Sequence, residues 1–176
     1  MELDEERYDQ LVHRIYDTVT DSEIWQVLYA ELAELIDAKT IHLAGFDKKH
    51  NALSFSGGFN LLPGRELGYI RRYQHIDPRL SMLWSQPVLK WLHCHEHFDE
   101  EFVSNNRFFQ EFLLPGGRRY ASCVKLVDDD AVTVFFVCLR TVDQGPFTPD
   151  AVAILERLTP HLGSPICGSV PLIPRS

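Results

Sequence analysis

The stretch from 120 to 139 constrains this chain most: two apolar runs, 120–127 and 131–139, flank Asp128-Asp129-Asp130. β-Branched and aromatic residues crowd both runs, and consecutive aspartates favour a turn because their side chains bond nearby backbone amides. The arrangement predicts a hairpin. Val132, Val134, Phe135, Phe136 and Val137 form almost continuous apolar surface, as expected of a central strand covered on both faces. Such a strand commits the chain to a sheet with other elements packed on each side.

Those elements can be read from periodicity. Residues 4–18 carry Tyr8, Leu11, Val12, Ile15, Tyr16 and Val19 at helical spacing. Asp21-Ser22 offers a cap for a second helix to about residue 37, with Trp25, Leu28, Leu32, Leu35 and Ile36 as its stripe. Residues 40–46 and 52–59 read as a second hairpin joined by the polar turn Asp47 to Asn51, with Gly57-Gly58 closing its second strand. Pro63-Gly64 opens a helix that runs to about residue 76 and stops before Pro78. Short pieces follow: a helix over 79–85, a strand over 88–92, then an acidic, His-rich stretch. A helix over 105–114 bears Phe108, Phe109, Phe112 and Leu113 and ends at Pro115-Gly116-Gly117. Thr148-Pro149 starts the last helix, with Val152, Leu155, Leu158 and Leu162 on one face. The remaining residues, 163–176, hold three prolines and no period and read as a linker or tail.

This order predicts one α/β (α+β) domain over residues 1–162, an antiparallel sheet flanked by helices as in PAS and GAF modules. The chain has 176 residues, enough to bury roughly two-thirds of its unfolded surface without staples.

Charge and cysteines narrow the function classes. The net charge is −8, and the basic clusters Arg71-Arg72 and Arg118-Arg119 are too small to make the positive stripe that phosphate backbones require. No direct nucleic-acid binding by this domain is expected. Cys94, Cys123, Cys138 and Cys167 show no CxxC spacing, and Cys123 and Cys138 sit in apolar runs where a thiol acts as a small hydrophobe. The acidic N-terminus is unlike a signal peptide and no apolar run reaches membrane length. A reducing cytoplasm, no membrane and no structural disulfide are the expectations.

Two polar clusters invite chemistry. His93, Cys94, His95, Glu96 and His97 crowd imidazole and thiol ligands into five positions, and histidines alternating in a strand would share one face. A metal- or haem-based sensor is one reading; the plainer one is a solvated loop, because adjacent ligands in one strand seldom converge. Cys94 beside histidines also suggests a nucleophile, yet no third group and no G-x-S-x-G, H-E-x-x-H or P-loop accompanies it. No enzyme and no cofactor are expected.

The second cluster is 69–79. Tyr69 and Tyr73 share a helix face by i, i+4 spacing, with Ile76 and Asp77 near it and Arg79 just beyond. Phe108, Phe109 and Phe112 offer a second aromatic surface, with Trp84 and Trp91 between. Aromatic walls with a few polar groups are what a small-molecule pocket needs. Ser122, on the neighbouring strand, joins the candidate lining. Any one of these aromatics could simply fill a core; Asp77 and Arg79 are harder to place there.

Tyr73-x-x-Ile76-Asp77-Pro78 resembles the tyrosine and aspartate motif of autoinducer-binding domains in LuxR-type transcription regulators. The resemblance implies that Tyr69 stands where the family usually has tryptophan, that Tyr73 is the pocket tyrosine and that Asp77 accepts from a ligand amide. A wider frame is similar to the sensory regions of these regulators: Ile15-Tyr16-Asp17, Trp25 and Leu28, then Asp77-Pro78-Arg79. It continues with Phe108-Phe109-x-Glu111-Phe112-Leu113-x-Pro115-x-Gly117, Gly145-Pro146-Phe147-Thr148 and Leu158-x-Pro160-His161-Leu162. It implies a PAS-like or GAF-like domain that binds an unidentified small-molecule effector, forms a homodimer and works beside a helix-turn-helix that these residues do not contain.

Overall fold

The computed structural model describes residues 3–169, with side chains through Ile166. Its centre is a five-stranded antiparallel sheet in the order β2-β1-β5-β4-β3. The strands are β1 (Thr40–Asp47), β2 (Ala52–Phe59), β3 (Trp91–His93), β4 (Tyr120–Asp128) and β5 (Val132–Arg140). The hairpin of β4 and β5 turns at Asp129, whose carboxylate accepts from the Ala131 and Val132 amides at 2.7 and 2.8 Å. β5 lies third of five, as its apolar run on both faces requires.

Strand alternation divides the molecule into two cores. Ile41, Leu43, Val134, Phe136 and Cys138 face α1 (Glu5–Asp17), α2 (Ile24–Leu35) and α6 (Pro149–Ser169). Ala121, Cys123 and Phe135 face the other way, toward α3 (Pro63–Gly68), α4 (Pro78–Ser85), α5 (Glu100–Asn105) and the turn over Phe109–Leu113. Asp4 caps α1 by accepting from the Arg7 amide at 2.8 Å. Trp91 of β3 donates to the Thr159 hydroxyl of α6 at 2.8 Å inside the first core. None of the helices among the described residues is long and apolar enough to cross a membrane.

Four expectations are corrected. The helix predicted over 63–76 is not one α-helix: after α3 the backbone widens into a π-helical turn, Tyr69–Tyr73, then a 3-10 turn, Gln74–Ile76. The strand predicted over 88–92 begins only at Trp91, because Leu89 takes a left-handed φ of 63°. The acidic stretch holds a helix that periodicity missed, α5, capped by Asp99, which accepts from the Phe102 amide at 2.8 Å. Finally, α6 does not stop at Leu162. It continues through Gly163 and Pro165 to Ser169, and Ile166 is buried. A Cβ at Gly163 would sit 3.3 Å from the Leu126 carbonyl oxygen, so this glycine lets α6 approach the sheet and does not end it. The part of the expected tail over 170–176 lies outside the described residues.

Candidate ligand cavity

β5 is a central strand, yet Val137 and Leu139 remain partly exposed. They border a cavity of about 150 Å³ between the sheet and the helices at 63–85 and 107–113. An apolar space of about this size holds a benzene-sized molecule. Its floor is Thr40, His42, Ala44 and Phe46 of β1, Cys123 of β4, and Phe135, Val137 and Leu139 of β5. Its walls come from α3 and the π-helical turn (Arg65, Glu66, Tyr69, Ile70), from α4 and its cap (Asp77, Arg79, Leu80, Leu83), and from Phe112, Leu113 and Arg118. The solvent-exposed lining residues are Asn60, Leu62 and Ile70, so the cavity opens beside α3.

Both flanking helices widen where they meet it. The Gln74 amide bonds the Tyr69 carbonyl, and the Leu114 amide bonds the Phe109 carbonyl at 2.9 Å. Such i→i+5 turns are uncommon and concentrate at functional sites. Here they bring two aromatic sets together: Phe112 lies 5.6 Å from Tyr69 and 4.9 Å from Tyr73, centroid to centroid. Phe108 packs behind, 6.2 Å from Tyr69.

Asp77 and Arg79 form the polar core of the wall. Asp77 caps α4 through the Arg79 amide at 2.9 Å, and the same Oδ1 accepts from Arg79 Nε at 2.9 Å. Oδ2 accepts from Arg79 Nη2 at 2.8 Å and from the Tyr69 hydroxyl at 3.0 Å. Each carboxylate oxygen thus holds two donors. Burial opposes the Arg79 charge, but the adjacent carboxylate outweighs it and leaves the guanidinium above its ordinary value. Burial likewise pushes the Tyr69 phenol up. Arg79 also lies over the Phe108 ring at 4.7 Å, and its buried Nη1 has no hydrogen-bond partner among the described residues.

The residues singled out from sequence separate into groups. Tyr69, Asp77, Arg79 and Phe112 line the cavity. Tyr73 packs on Phe112, and Phe108 and Phe109 are wholly buried behind the wall. Trp84 stands beside the cavity against Phe46 and Phe135, at 6.4 and 5.0 Å. Ser122 faces the opposite side of the sheet, hydrogen-bonded to His93 Nδ1 at 2.8 Å and paired with Cys138 of the first core. Strand alternation carries it there. Sequence reading missed the β1 floor and the cations Arg65 and Arg118; the alternation of Thr40, His42, Ala44 and Phe46 against Ile41 and Leu43 was the available signal.

The His-rich stretch does not form the shared face a strand would give it. Only His93 lies in β3; Cys94–Glu96 is a 3-10 turn, and His95 and His97 are exposed. Among the described residues no three His, Cys, Asp or Glu side chains gather to hold a metal ion. Cys94 is buried against Cys123, whose hydrogen bond, together with burial, pushes the Cys94 thiol up, away from a reactive thiolate. The Arg118-Arg119 pair is no surface patch either: Arg118 lines the cavity, whereas Arg119 is buried and bonded to Glu100 at 2.8 Å.

The sequence matches no family model, and no curated protein matches it. Solved structures do share the fold. The N-acylhomoserine lactone-dependent LuxR-family transcription factor CepR2 of Burkholderia cenocepacia is 17% identical, with a TM-score of 0.67 over 92% of this chain and 95% of that one. The ligand-binding domain of VqsR from Pseudomonas aeruginosa is 12% identical, TM-score 0.64, over 93% and 96%. A GAF domain/HD domain protein of Geobacter sulfurreducens is 20% identical, TM-score 0.56, over 92% and 99%. The fold is therefore the α+β architecture common to LuxR-type ligand-binding domains and GAF domains.

Proposed function

We propose that this chain is a small-molecule-sensing regulatory domain of the kind that LuxR-type transcription regulators carry. The observation that carries the reading is the sheet face: Val137 and Leu139 of a central strand pack against the second core on one side yet stay partly exposed, bordering an apolar cavity. Leaving such a space empty sacrifices packing contacts, and a bound molecule would restore them. Structural likeness to CepR2, which is lactone-dependent, supports the same reading.

Binding would shift the population of arrangements of the elements around the cavity. Output would pass through α1 and α6, which pack together through His161. Its ring nitrogens meet the Tyr8 and Tyr16 hydroxyls at 3.1 and 3.2 Å. Tyr16 of α1, Val19 just after it and Val27 of α2 are exposed, and a homodimer formed on this side would cover them. Sedimentation of the chain tests that part, with a monomer at all concentrations discarding it.

A thermal-shift screen of small apolar and amphipathic molecules, run on the native chain and on Val137→Trp, tests the cavity. Compounds that stabilise the native chain but not the filled variant are expected. No stabilising compound, or shifts identical in both proteins, would sink the proposal.

A further inference from the structure

The cavity carries more positive charge than its own carboxylates neutralise. Its two acids are already engaged, Asp77 by Arg79 and Tyr69, and Glu66 by His42 at 3.1 Å and Ser56 at 2.8 Å. The hydrogen bond from His42 holds the Glu66 carboxyl below its usual range, so it stays ionised and paired. Among the described residues, Arg65 and Arg118 have no such counterpart. Arg65 donates to the Phe112 carbonyl and lies over the Phe112 ring at 4.7 Å. Arg118 donates to the Thr40 hydroxyl at 2.9 and 3.0 Å, to the Asn60 carbonyl at 3.1 Å and to the Gly116 carbonyl. All of these partners are uncharged.

The two guanidiniums are also close. A Cβ at Gly116 would fall on the Arg65 guanidinium, while Arg118 bonds the carbonyl of that same glycine. Burial, and next the Arg65 charge, lower the Arg118 guanidinium below its ordinary value. Two half-buried like charges that no carboxylate among the described residues pairs repel, and an anion placed between them would remove that repulsion. Arginine forks match carboxylates in geometry as well as charge. Asn60, which accommodates Arg118, is exposed at the open side of the cavity. The pair therefore stands at the entrance, with the apolar floor of Ala44, Phe135 and Val137 beyond it.

We infer that the cavity takes an amphipathic organic acid, its carboxylate held between Arg65 and Arg118 and its apolar body against the sheet. The walls offer apolar surface and few free polar groups, which suits an alkyl or aryl body over a sugar. This rests on the cavity being a ligand site, and it adds that the ligand is an anion.

Calorimetric titration at pH 7.5 with octanoate and 3-phenylpropionate, against their primary amides and N-octanoyl homoserine lactone, separates the two ideas. The acids should bind the native chain at least tenfold more tightly than the amides and lose that advantage in Arg118→Gln and Arg65→Gln. Affinity should fall as salt rises, and Arg118→Lys should recover part of it. Amides or lactone binding as tightly as the acids would overturn the anion assignment and leave the cavity as a ligand site. Binding by none of the probes would overturn both. The comparison of acid with amide uses the native protein, so it decides the matter even if a substitution impairs folding.

Discussion

Arg79 turns back on Asp77, two residues before it, with Nε 2.9 Å from Oδ1 and Nη2 2.8 Å from Oδ2. Together with the Arg79 amide and the Tyr69 hydroxyl, this ion pair joins the π-helical turn to the start of α4. It accounts for one carboxylate and one guanidinium in a wall whose other charged members are Arg65, Glu66 and Arg118.

Removing one partner of a buried pair strands the other charge and costs about 3–5 kcal/mol. Asp77→Asn is expected to lower unfolding free energy by about that amount, because Arg79 is buried. Asp77→Leu combined with Arg79→Met should recover much of the loss. Urea denaturation of the three proteins reads this directly; a double variant as unstable as Asp77→Asn would show that the ion pair is not the cause.

Adjacent glycines in β2 make opposite demands. A Cβ at Gly58 would collide with the Ile41 carbonyl oxygen, a backbone atom, whereas one at Gly57 meets nothing nearer than the Tyr29 hydroxyl at 3.4 Å. Gly58→Ala should cost about 1–3 kcal/mol by forcing β2 from β1, and Gly57→Ala no more than about 0.5 kcal/mol. Comparable unfolding midpoints for the two variants would contradict this.

His93 links stability to pH. Burial lowers its imidazolium, while Glu96 acts against that shift and His95 with it. The folded chain therefore takes up a proton at lower pH than the unfolded chain, whose histidine titrates at about 6.5. Between those two values the unfolded state holds more protons, so stability falls as pH drops through the window and levels out below it. In His93→Gln, which can keep a bond to Ser122, the stability difference between pH 7.5 and 5.5 should shrink. An unchanged difference, measured by urea unfolding, would clear His93 of the effect.

The final turns of α6 matter for stability. A chain ending at Leu162 loses Ile166, which is 5% exposed. Burying an isoleucine contributes about 1.5–3 kcal/mol. The shortened chain should unfold at a clearly lower temperature than one ending at Ser169. Identical melting would return residues 163–169 to the status of a tail.

Periodicity alone read most of the architecture. Ala52–Phe59 and the β4-β5 pair were legible because alternation and turn aspartates act locally. The mistakes share a cause. Pro160, Gly163 and Pro165 are helix breakers by local propensity, yet Leu162 and Ile166 bury against the sheet side and the helix persists. In 69–73, i, i+4 spacing anticipated a common face, but tertiary packing of Tyr69 and Tyr73 on Phe112 accompanies a wider turn.

By itself, then, the sequence determined the hairpins, the helical stripes and the aromatic and charged content of 69–79 and 108–112. Those features depend on neighbours within a few residues, whose spacing sets which face they share. Only the tertiary structure decided that Ser122 looks away from the cavity, that Arg118 enters it and Arg119 does not, and that His93 parts from His95 and His97. The Ser122 outcome turns on strand register, which a shift of one residue reverses; the others turn on where the strands end and on which distant element covers the residues beyond them.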